Sequence, residues 1–328
     1  MTHGSPLLVA VVMPTYKRPD LLARCLTALL GQTLASETYE IIVCDDGPSE
    51  STIEVVEAAR ARVGTRPSIR YLPITDTQGP AGARNAGWRT ADAPIVAFTD
   101  DDTVPEPAWL EAGLAAMASG AEAATGRIIM PLPDRPTDFE RDAARLQDAE
   151  FVTANCFVRR SALAAVEGFD ERFTAAWRED SDLHFSLIER GYTVVSAPGA
   201  VVIHPLRPAR FAAGLAMQKK VMFDVLLYLK HPRLYRERIR RRPPWFYLTV
   251  CASLALSAGC LVAGFEGAAA SAFALWAALS ALFFLRRLRS SSLSWRNVLE
   301  LLATSALIPL LSIFWRVVGM ARFGRALP

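Results

Sequence analysis

Three consecutive carboxylates, Asp100, Asp101 and Asp102, are the residues whose types and spacing could most clearly do chemistry. They follow the apolar run Ile95–Phe98, which predicts a buried strand. Adjacent carboxylates repel one another, so a site that holds them together needs water or a cation to offset their negative charge. Side chains alternate along an extended chain, so we expect Asp100 and Asp102 to face one point while Asp101 turns away. Oxygen ligands in an open site suit Mg²⁺ or Mn²⁺; an acidic loop capping the helix that begins near Pro107 is the alternative.

Strands and helices alternate around this stretch. The patterns predict strands at Leu7–Met13, Ile41–Cys44, Ile69–Leu72 and Ile95–Phe98, and helices at Pro19–Leu30, Ser49–Arg62 and Ala81–Thr90. This alternation indicates parallel βαβ units, whose ligands bind beyond the carboxyl ends of the strands. Asp45 and Asp46 follow the second strand, so we expect them to share a crevice with the three aspartates.

The C-terminal part of the chain is much more apolar than the rest. Trp245–Phe265 and Ala268–Leu285 carry no charge and predict a transmembrane hairpin. A third segment, Leu301–Trp315, is shorter and contains Pro309, so it could span, re-enter or lie at the interface. We therefore expect a catalytic domain over residues 1–206, a basic juxtamembrane segment over 207–244, and a membrane region over 245–328 with spans near 245–265, 268–285 and 298–318.

Basic residues flank the predicted hairpin on one side. Arg240, Arg241 and Arg242 precede the first span, and Arg286 and Arg287 follow the second, while the turn has none. The positive-inside rule predicts a multi-pass protein of the cell membrane with a cytoplasmic catalytic domain. Membrane lipids are therefore expected partners, and the net charge of +3 gives no reason to expect nucleic acid.

Several motifs occur in a fixed order over residues 7–205. They read Val-Val-Met-Pro-Thr-Tyr-Lys-Arg-Pro, Val-Cys-Asp-Asp-Gly, Gly-Pro-Ala-Gly-Ala-Arg-Asn-Ala-Gly, Phe-Thr-Asp-Asp-Asp and Trp-Arg-Glu-Asp-Ser-Asp-Leu. In this order they resemble the family 2 glycosyltransferases. The resemblance implies an α/β GT-A (Rossmann-like) fold with a mixed, mainly parallel sheet and flanking helices. The C-terminal transmembrane helices lie outside it.

The resemblance also implies roles for individual residues. It indicates inverting transfer of a sugar from a nucleotide-diphosphate donor, with Asp180 as general base beside Glu179. These two acids open a predicted helix, Asp180–Arg190, so helix capping by Asp180 or Asp182 is the structural alternative. In some members of the family a histidine after a later strand is a further metal ligand, which matches His204, although a lone histidine there is often structural.

The remaining site residues are expected to bind the donor. Asp45 and Asp46 correspond to contacts with the base and ribose, although either could be an ordinary turn acid. The full set of expected donor-binding residues is Pro14, Thr15, Tyr16, Asp45, Asp46, Arg84, Asp100 and Asp101, and the expected ligands of Mg²⁺ or Mn²⁺ are Asp100, Asp102 and His204.

These features together predict a membrane-anchored glycosyltransferase that uses a nucleotide-sugar donor and a lipid-linked or cell-surface glycan acceptor. A processive polysaccharide synthase is the nearest alternative, although the Gln-x-x-Arg-Trp pattern of such synthases is absent. A nucleotide-dependent oxidoreductase would share the fold class but leave the aspartates unexplained. An inactive membrane binding protein is the remaining alternative.

Overall fold

The computed structural model describes residues 6–76 and 79–328 and contains two compact units. The first is built from the chain up to Pro131 together with Leu146–Pro205. The second consists of Leu132–Arg145 and Leu206–Pro328. The segment Leu132–Arg145 thus lies between two parts of the first unit in sequence and belongs to the second unit.

The first unit is an eight-stranded sheet with helices on both faces. Its strands are β1 (Val9–Thr15), β2 (Tyr39–Asp45), β3 (Ser68–Pro73), β4 (Ile95–Thr99), β5 (Val104–Pro105), β6 (Ala123–Ile129), β7 (Asn155–Arg159) and β8 (Val194–Ile203). Its helices are α1 (Pro19–Leu30), α2 (Glu50–Val63), α3 (Pro80–Thr90), α4 (Trp109–Met117), α6 (Arg160–Ala165) and α7 (Glu179–Glu189), with 3₁₀ turns at Ser36–Thr38 and Arg145–Asp148. The helix between β6 and β7, α5 (Asp138–Ala144), belongs to the second unit.

The strand order is β3-β2-β1-β4-β7-β6-β8-β5, and the sheet is mixed. Strands β3, β2, β1 and β4 are parallel neighbours, whereas β7 is antiparallel to β4 and β6, and β5 is antiparallel to β8. Strand β6 pairs in parallel with β8. This arrangement confirms the predicted fold class, including its mainly parallel character.

Alternating residues of the central strand enter two separate cores. Val11 and Met13 of β1 pack on one face of the sheet with Trp109, while Ala10 and Val12 pack on the other. A sheet covered on both faces buries every residue of its inner strands, which explains the unbroken apolar runs in the sequence. The parallel strands β1, β2 and β4 are therefore fixed in register, and their carboxyl ends lie at one edge.

The first strand extends further than predicted. Pro14 was expected to end it, yet β1 continues through Thr15, which is paired with Asp45 of β2. Pairing of β1 with β4 ends at Val12 and Phe98, so Pro14 interrupts no ladder on that side. Thr15 is thereby brought to the same edge of the sheet as Asp45.

The second unit is helical. Its shorter helices are α5 (Asp138–Ala144), α8 (Ala213–Met217), α9 (Met222–Lys230) and α10 (Pro232–Leu234), with a 3₁₀ turn at Gln218–Val221 and a π turn at Tyr235–Ile239. Helix α5 begins with a capping box, because Thr137 accepts from the backbone N–H of Glu140 and the Glu140 side chain accepts from the N–H of Thr137.

Three longer helices complete the second unit: α11 (Trp245–Val262), α12 (Glu266–Leu288) and α13 (Trp295–Phe323). Each is long and apolar enough to cross a membrane, which indicates membrane association. The third segment was expected to be the shortest, but α13 has 29 residues and continues through Pro309. Neighbouring helices can satisfy the backbone groups that an internal proline frees, so Pro309 does not end α13.

Candidate active site

The candidate active site lies at the carboxyl edge of the parallel strands. Thr15, Asp45 and the Asp100–Asp102 segment follow or end β1, β2 and β4, which are neighbours in the sheet. Thr15 Oγ1 donates a hydrogen bond of 2.8 Å to Asp101 Oδ2, so the ends of β1 and β4 are joined directly. The structure thus brings Asp45 and the three aspartates to one edge of the sheet, where a shared crevice was predicted.

The three aspartates occupy a turn rather than an extended strand end. The N–H of Thr103 donates to the carbonyl of Asp100 at 3.2 Å, which closes the turn. The expected alternation, with Asp100 and Asp102 facing one point, therefore does not hold, because alternation requires extended backbone. Asp100 contacts Arg84, and Asp101 points toward Thr15 instead of away from the site.

Arg84 links the acidic turn to the first turn of α7. Its Nη2 lies 2.7 Å from Asp100 Oδ1, and its Nη1 lies 3.2 Å from Glu179 Oε1. The Arg84 and Glu179 side chains are 2% and 5% exposed, so their ion pair is shielded from water, whereas the Asp100 side chain is 27% exposed. Burial raises the pKa of Glu179, reinforced by the adjacent Asp180 and opposed by Arg84. Arg84 thus fixes two acidic segments that are distant in sequence.

Asp180 is the second residue of α7 and is not its N-cap. The N-cap is Arg178, in a left-handed conformation with φ of 75°, and it makes no capping hydrogen bond with its side chain. Asp180 Oδ1 accepts from the N–H of Ser181 at 2.6 Å. Burial raises the pKa of Asp180, against the lowering effect of this hydrogen bond. N-capping of α7 by Asp180 or Asp182, the structural alternative, is therefore wrong, because Arg178 occupies the N-cap position.

Asp45 and Asp46 have different environments. Asp45 is fully buried and accepts from the N–H groups of Gly47 and Ser49 and from the hydroxyl of Tyr71, at 3.2, 3.3 and 3.0 Å. Asp46 Oδ2 accepts from the N–H of Gly79 at 2.8 Å, while its buried Oδ1 has no hydrogen-bond partner in the described chain. Burial raises the pKa of Asp46. Asp45 therefore organises the turn, and Asp46 retains an acceptor for a ligand.

The predicted metal ligands are only partly assembled. Asp102 Oδ1 lies 3.4 Å from His204 Nε2, and both side chains are largely buried. His204 Nδ1 has no hydrogen-bond partner among residues 6–76 and 79–328. Asp100 instead pairs with Arg84. Within the described chain no three His, Cys, Asp or Glu side chains form a metal-binding group. A divalent cation whose remaining ligands are phosphate and water fits this oxygen and nitrogen pair.

The other expected donor-binding residues line the same edge. Pro14 is partly buried and Tyr16 is 47% exposed. The Tyr16 ring lies over Gly47, where an added Cβ would come within 2.6 Å of the ring. The loops after β1 and β2 therefore pack against each other beside Asp46.

Two contributors were not predicted. Arg18 Nη1 lies 3.3 Å from Asp101 Oδ1 and 3.8 Å from Asp102 Oδ2, and Tyr71 donates to Asp45. Arg18 is part of the Pro-Thr-Tyr-Lys-Arg-Pro motif, so its position was a usable signal. Tyr71 lies near the end of β3, the strand next to β2, and adjacency of strand ends is the only sequence signal that pointed to it.

The class of the protein follows from this fold and these motifs together with two family models. The model for "Glycosyl transferase family 2" matches residues 10–170, and that for "Glycosyl transferase family group 2" matches residues 95–285. The chain therefore belongs to the family 2 glycosyltransferases, as the sequence motifs indicated.

The chain is also similar in sequence to individual glycosyltransferases. The chain is 28% identical over 220 residues to glycosyltransferase AglE of Haloferax volcanii, an alignment that covers 63% of this chain and 70% of that protein. It is 31% identical over 229 residues to validoxylamine A glucosyltransferase of Streptomyces hygroscopicus subsp. limoneus, covering 58% of this chain and 49% of that protein.

A solved structure has the same fold. The mannosyltransferase PcManGT from Pyrobaculum calidifontis, in complex with GDP-Man and Mn²⁺, superposes with a TM-score of 0.61 at 18% identity, covering 95% of this chain and 88% of that one.

Proposed function

We propose that the protein transfers a sugar from a nucleoside-diphosphate donor to a membrane-held acceptor, with inversion at the anomeric carbon. The observation that carries this proposal is the buried bridge from Asp100 through Arg84 to Glu179, with distances of 2.7 and 3.2 Å. This bridge holds the acidic turn after β4 beside the helix turn that carries Asp180. A leaving-group site and a basic carboxylate are thereby fixed near one another.

Asp180 is proposed as the general base. Inverting transfer requires that the acceptor hydroxyl lose its proton as its oxygen attacks the anomeric carbon opposite the departing diphosphate. A carboxylate whose pKa is raised by burial is a stronger base than an exposed aspartate. The N-terminus of α7 stabilises the ionised form before the reaction.

Asp102 and His204 are proposed to hold Mg²⁺ or Mn²⁺, with Asp100 retained by Arg84. Such a cation, when bound, supplies positive charge to the departing diphosphate. The Mn²⁺ and GDP-Man in the mannosyltransferase with the same fold support this assignment. Asp46 is proposed to accept from the base or ribose, because its Oδ1 has no partner within the described residues.

The acceptor is proposed to be lipid-linked, or a glycan at the membrane. Apolar helices that can cross a membrane would confine the enzyme and a lipid-linked acceptor to one surface. The arginines beside α11 and α12 support a cytoplasmic location for that surface.

The experiment is release of nucleoside diphosphate from a panel of UDP-, GDP- and dTDP-sugars by the purified chain in detergent, with and without Mn²⁺. We expect one donor to be turned over only with metal, and Asp102→Asn to abolish that turnover while the protein stays folded. Asp92→Asn, a matched change of an exposed aspartate in the loop before β4, should leave the rate unchanged. Turnover that persists in chelator, or retention of anomeric configuration in the product, would contradict the proposal.

A further inference from the structure

Large apolar side chains of the α11–α12 hairpin are exposed near the turn that joins the two helices. In α11 the buried residues are Val250 and Ser253, close to its start. Farther along, Leu256 and Leu261 are 60% and 64% exposed, and Phe273 near the start of α12 is 51% exposed. A third helix crossing alongside the hairpin would cover such residues. Helix α13 therefore does not accompany the hairpin through its full length.

The middle of α13 is attached to the end of α12. Arg287, the penultimate residue of α12, donates to Thr304 Oγ1 at 2.8 Å and to Ser305 Oγ at 3.0 Å. If α13 crossed the membrane from its first residue, Trp295, Thr304 would lie about 14 Å farther in, at 1.5 Å per residue. The contact with Arg287 instead places Thr304 at the level where α12 ends.

The second half of α13 packs against a charged segment that precedes α11. Arg316 lies 3.4 Å from Asp224 of α9, and a Cβ on Gly319 would come within 2.6 Å of the Met222 carbonyl. Lys219 is exposed, and its Nζ lies 5.8 Å from the centre of the Trp315 ring. An exposed ammonium is costly in hydrocarbon but favourable among lipid headgroups. Trp315 therefore lies near the interface.

The two faces of α13 differ in polarity. Its buried face carries the polar residues Thr304, Ser312 and Arg316 among apolar ones. On the outer face Leu302 and Phe314 are 57% and 54% exposed. Leu307 and Val317 are also exposed on the outer side. An apolar face opposite a protein-bound polar face is the pattern of a helix lying in the plane of a membrane interface.

We propose that only α11 and α12 cross the bilayer, and that α13 lies along the membrane surface at the end of the hairpin marked by Arg287. Its polar face packs against residues 206–242, and its apolar face enters the lipid. The occupant of this face is the bilayer, because the face is continuous with the lipid-exposed hairpin and lies beside the arginines that end α12. The C-terminus then lies on the same side of the membrane as the loop between α12 and α13.

Topology reporters test this directly on the full chain. A reporter fused after Pro328 should read the same side as one inserted at Ser291, and the opposite side from one inserted between Glu266 and Gly267. A fusion after Pro328 that reads with the Glu266–Gly267 insertion would overturn the proposal, because α13 would then cross. The comparison is relative, so it does not depend on which side is cytoplasmic.

Spin-label depth is a second measurement that does not rely on fusions. Nitroxides would be attached to Leu302→Cys and Val317→Cys in a chain that carries Cys251→Ser and Cys260→Ser. On a surface helix the two depths should agree within about 5 Å, whereas a spanning helix separates them by about 22 Å at 1.5 Å per residue. Phe273→Cys and Leu282→Cys in α12 are the control and should differ by about 14 Å. Equal depths support the proposal, and a separation near 22 Å refutes it.

Discussion

Replacing Asp180 by asparagine distinguishes a catalytic base from a structural helix-terminal acid. The structure limits the structural cost of the change, since Arg178 is the N-cap and the hydrogen bonds to the Asp180 side chain within the described residues come from its neighbour Ser181. Asparagine can accept the same hydrogen bonds. Loss of one negative charge near the helix N-terminus costs about 0.3–1 kcal/mol. The thermal midpoint of unfolding should therefore change by only a few degrees.

The catalytic effect should be far larger. Asparagine cannot take a proton from the acceptor hydroxyl, and loss of a general base lowers rates by about 10²–10⁴. This corresponds to about 3–5 kcal/mol in the activation free energy. Donor binding should persist, because the proposed donor contacts are Asp46, Asp102 and His204.

The assay is nucleoside diphosphate release together with calorimetric donor binding on the same purified variant. Because a base acts only when ionised and burial raises the pKa of Asp180, wild-type kcat/KM should fall with decreasing pH above the range of an ordinary aspartate. In Asp180→Asn this acid limb should be absent. Glu50→Gln, in the first turn of α2, is a matched control for loss of a helix-terminal charge. Turnover of Asp180→Asn within threefold of wild type would refute the reasoning.

Four further changes test the rest of the site. His204→Ala should raise the Mn²⁺ concentration needed for half-maximal activity at least about tenfold, the scale typical of lost support at a metal site, and metal titration of the rate measures this. Asp46→Asn should weaken nucleoside diphosphate binding in calorimetry with little change in unfolding temperature. Asp45→Asn should lower the unfolding temperature more, because it disturbs three hydrogen bonds of a buried side chain. Arg84→Met leaves the buried Glu179 and the partly exposed Asp100 without their cation and should destabilise the chain by about 3–5 kcal/mol, seen as a lower thermal midpoint, whereas an unchanged midpoint would remove its bridging role.

Much of the fold was predictable because its signals are local. Apolar runs such as Ile41–Cys44 identify strands, and Pro19 identifies the start of α1, which begins at that residue. Strand β7 and its antiparallel pairing with β4 were not predicted, since pairing between distant segments leaves no periodic signal. The length of α13 was underestimated because Pro309 suggests a helix end when its packing partners are not visible.

The candidate site was predictable in composition but not in geometry. The sequence indicated which acids gather at the sheet edge, because parallel strands align their carboxyl ends. The backbone turn at Asp100 depends on the hydrogen bond to Thr103, which alternation arguments do not anticipate. The ion-pair partners of Arg84 depend on tertiary structure. Glu179 lies far from Arg84 in sequence and comes close to it through the packing of α7.

The burial of Arg84 changes the role that we expect for it. An arginine that is 2% exposed, with both Nη atoms on carboxylates, cannot turn to a diphosphate without leaving the buried Glu179 as an unpaired charge and breaking its contact with Asp100. Arg18 is 39% exposed and reaches Asp101 and Asp102 at 3.3 and 3.8 Å, so it can move at little cost. We therefore expect Arg84 to hold the acidic segments in place, and Arg18 together with the divalent cation to meet the charge of the donor.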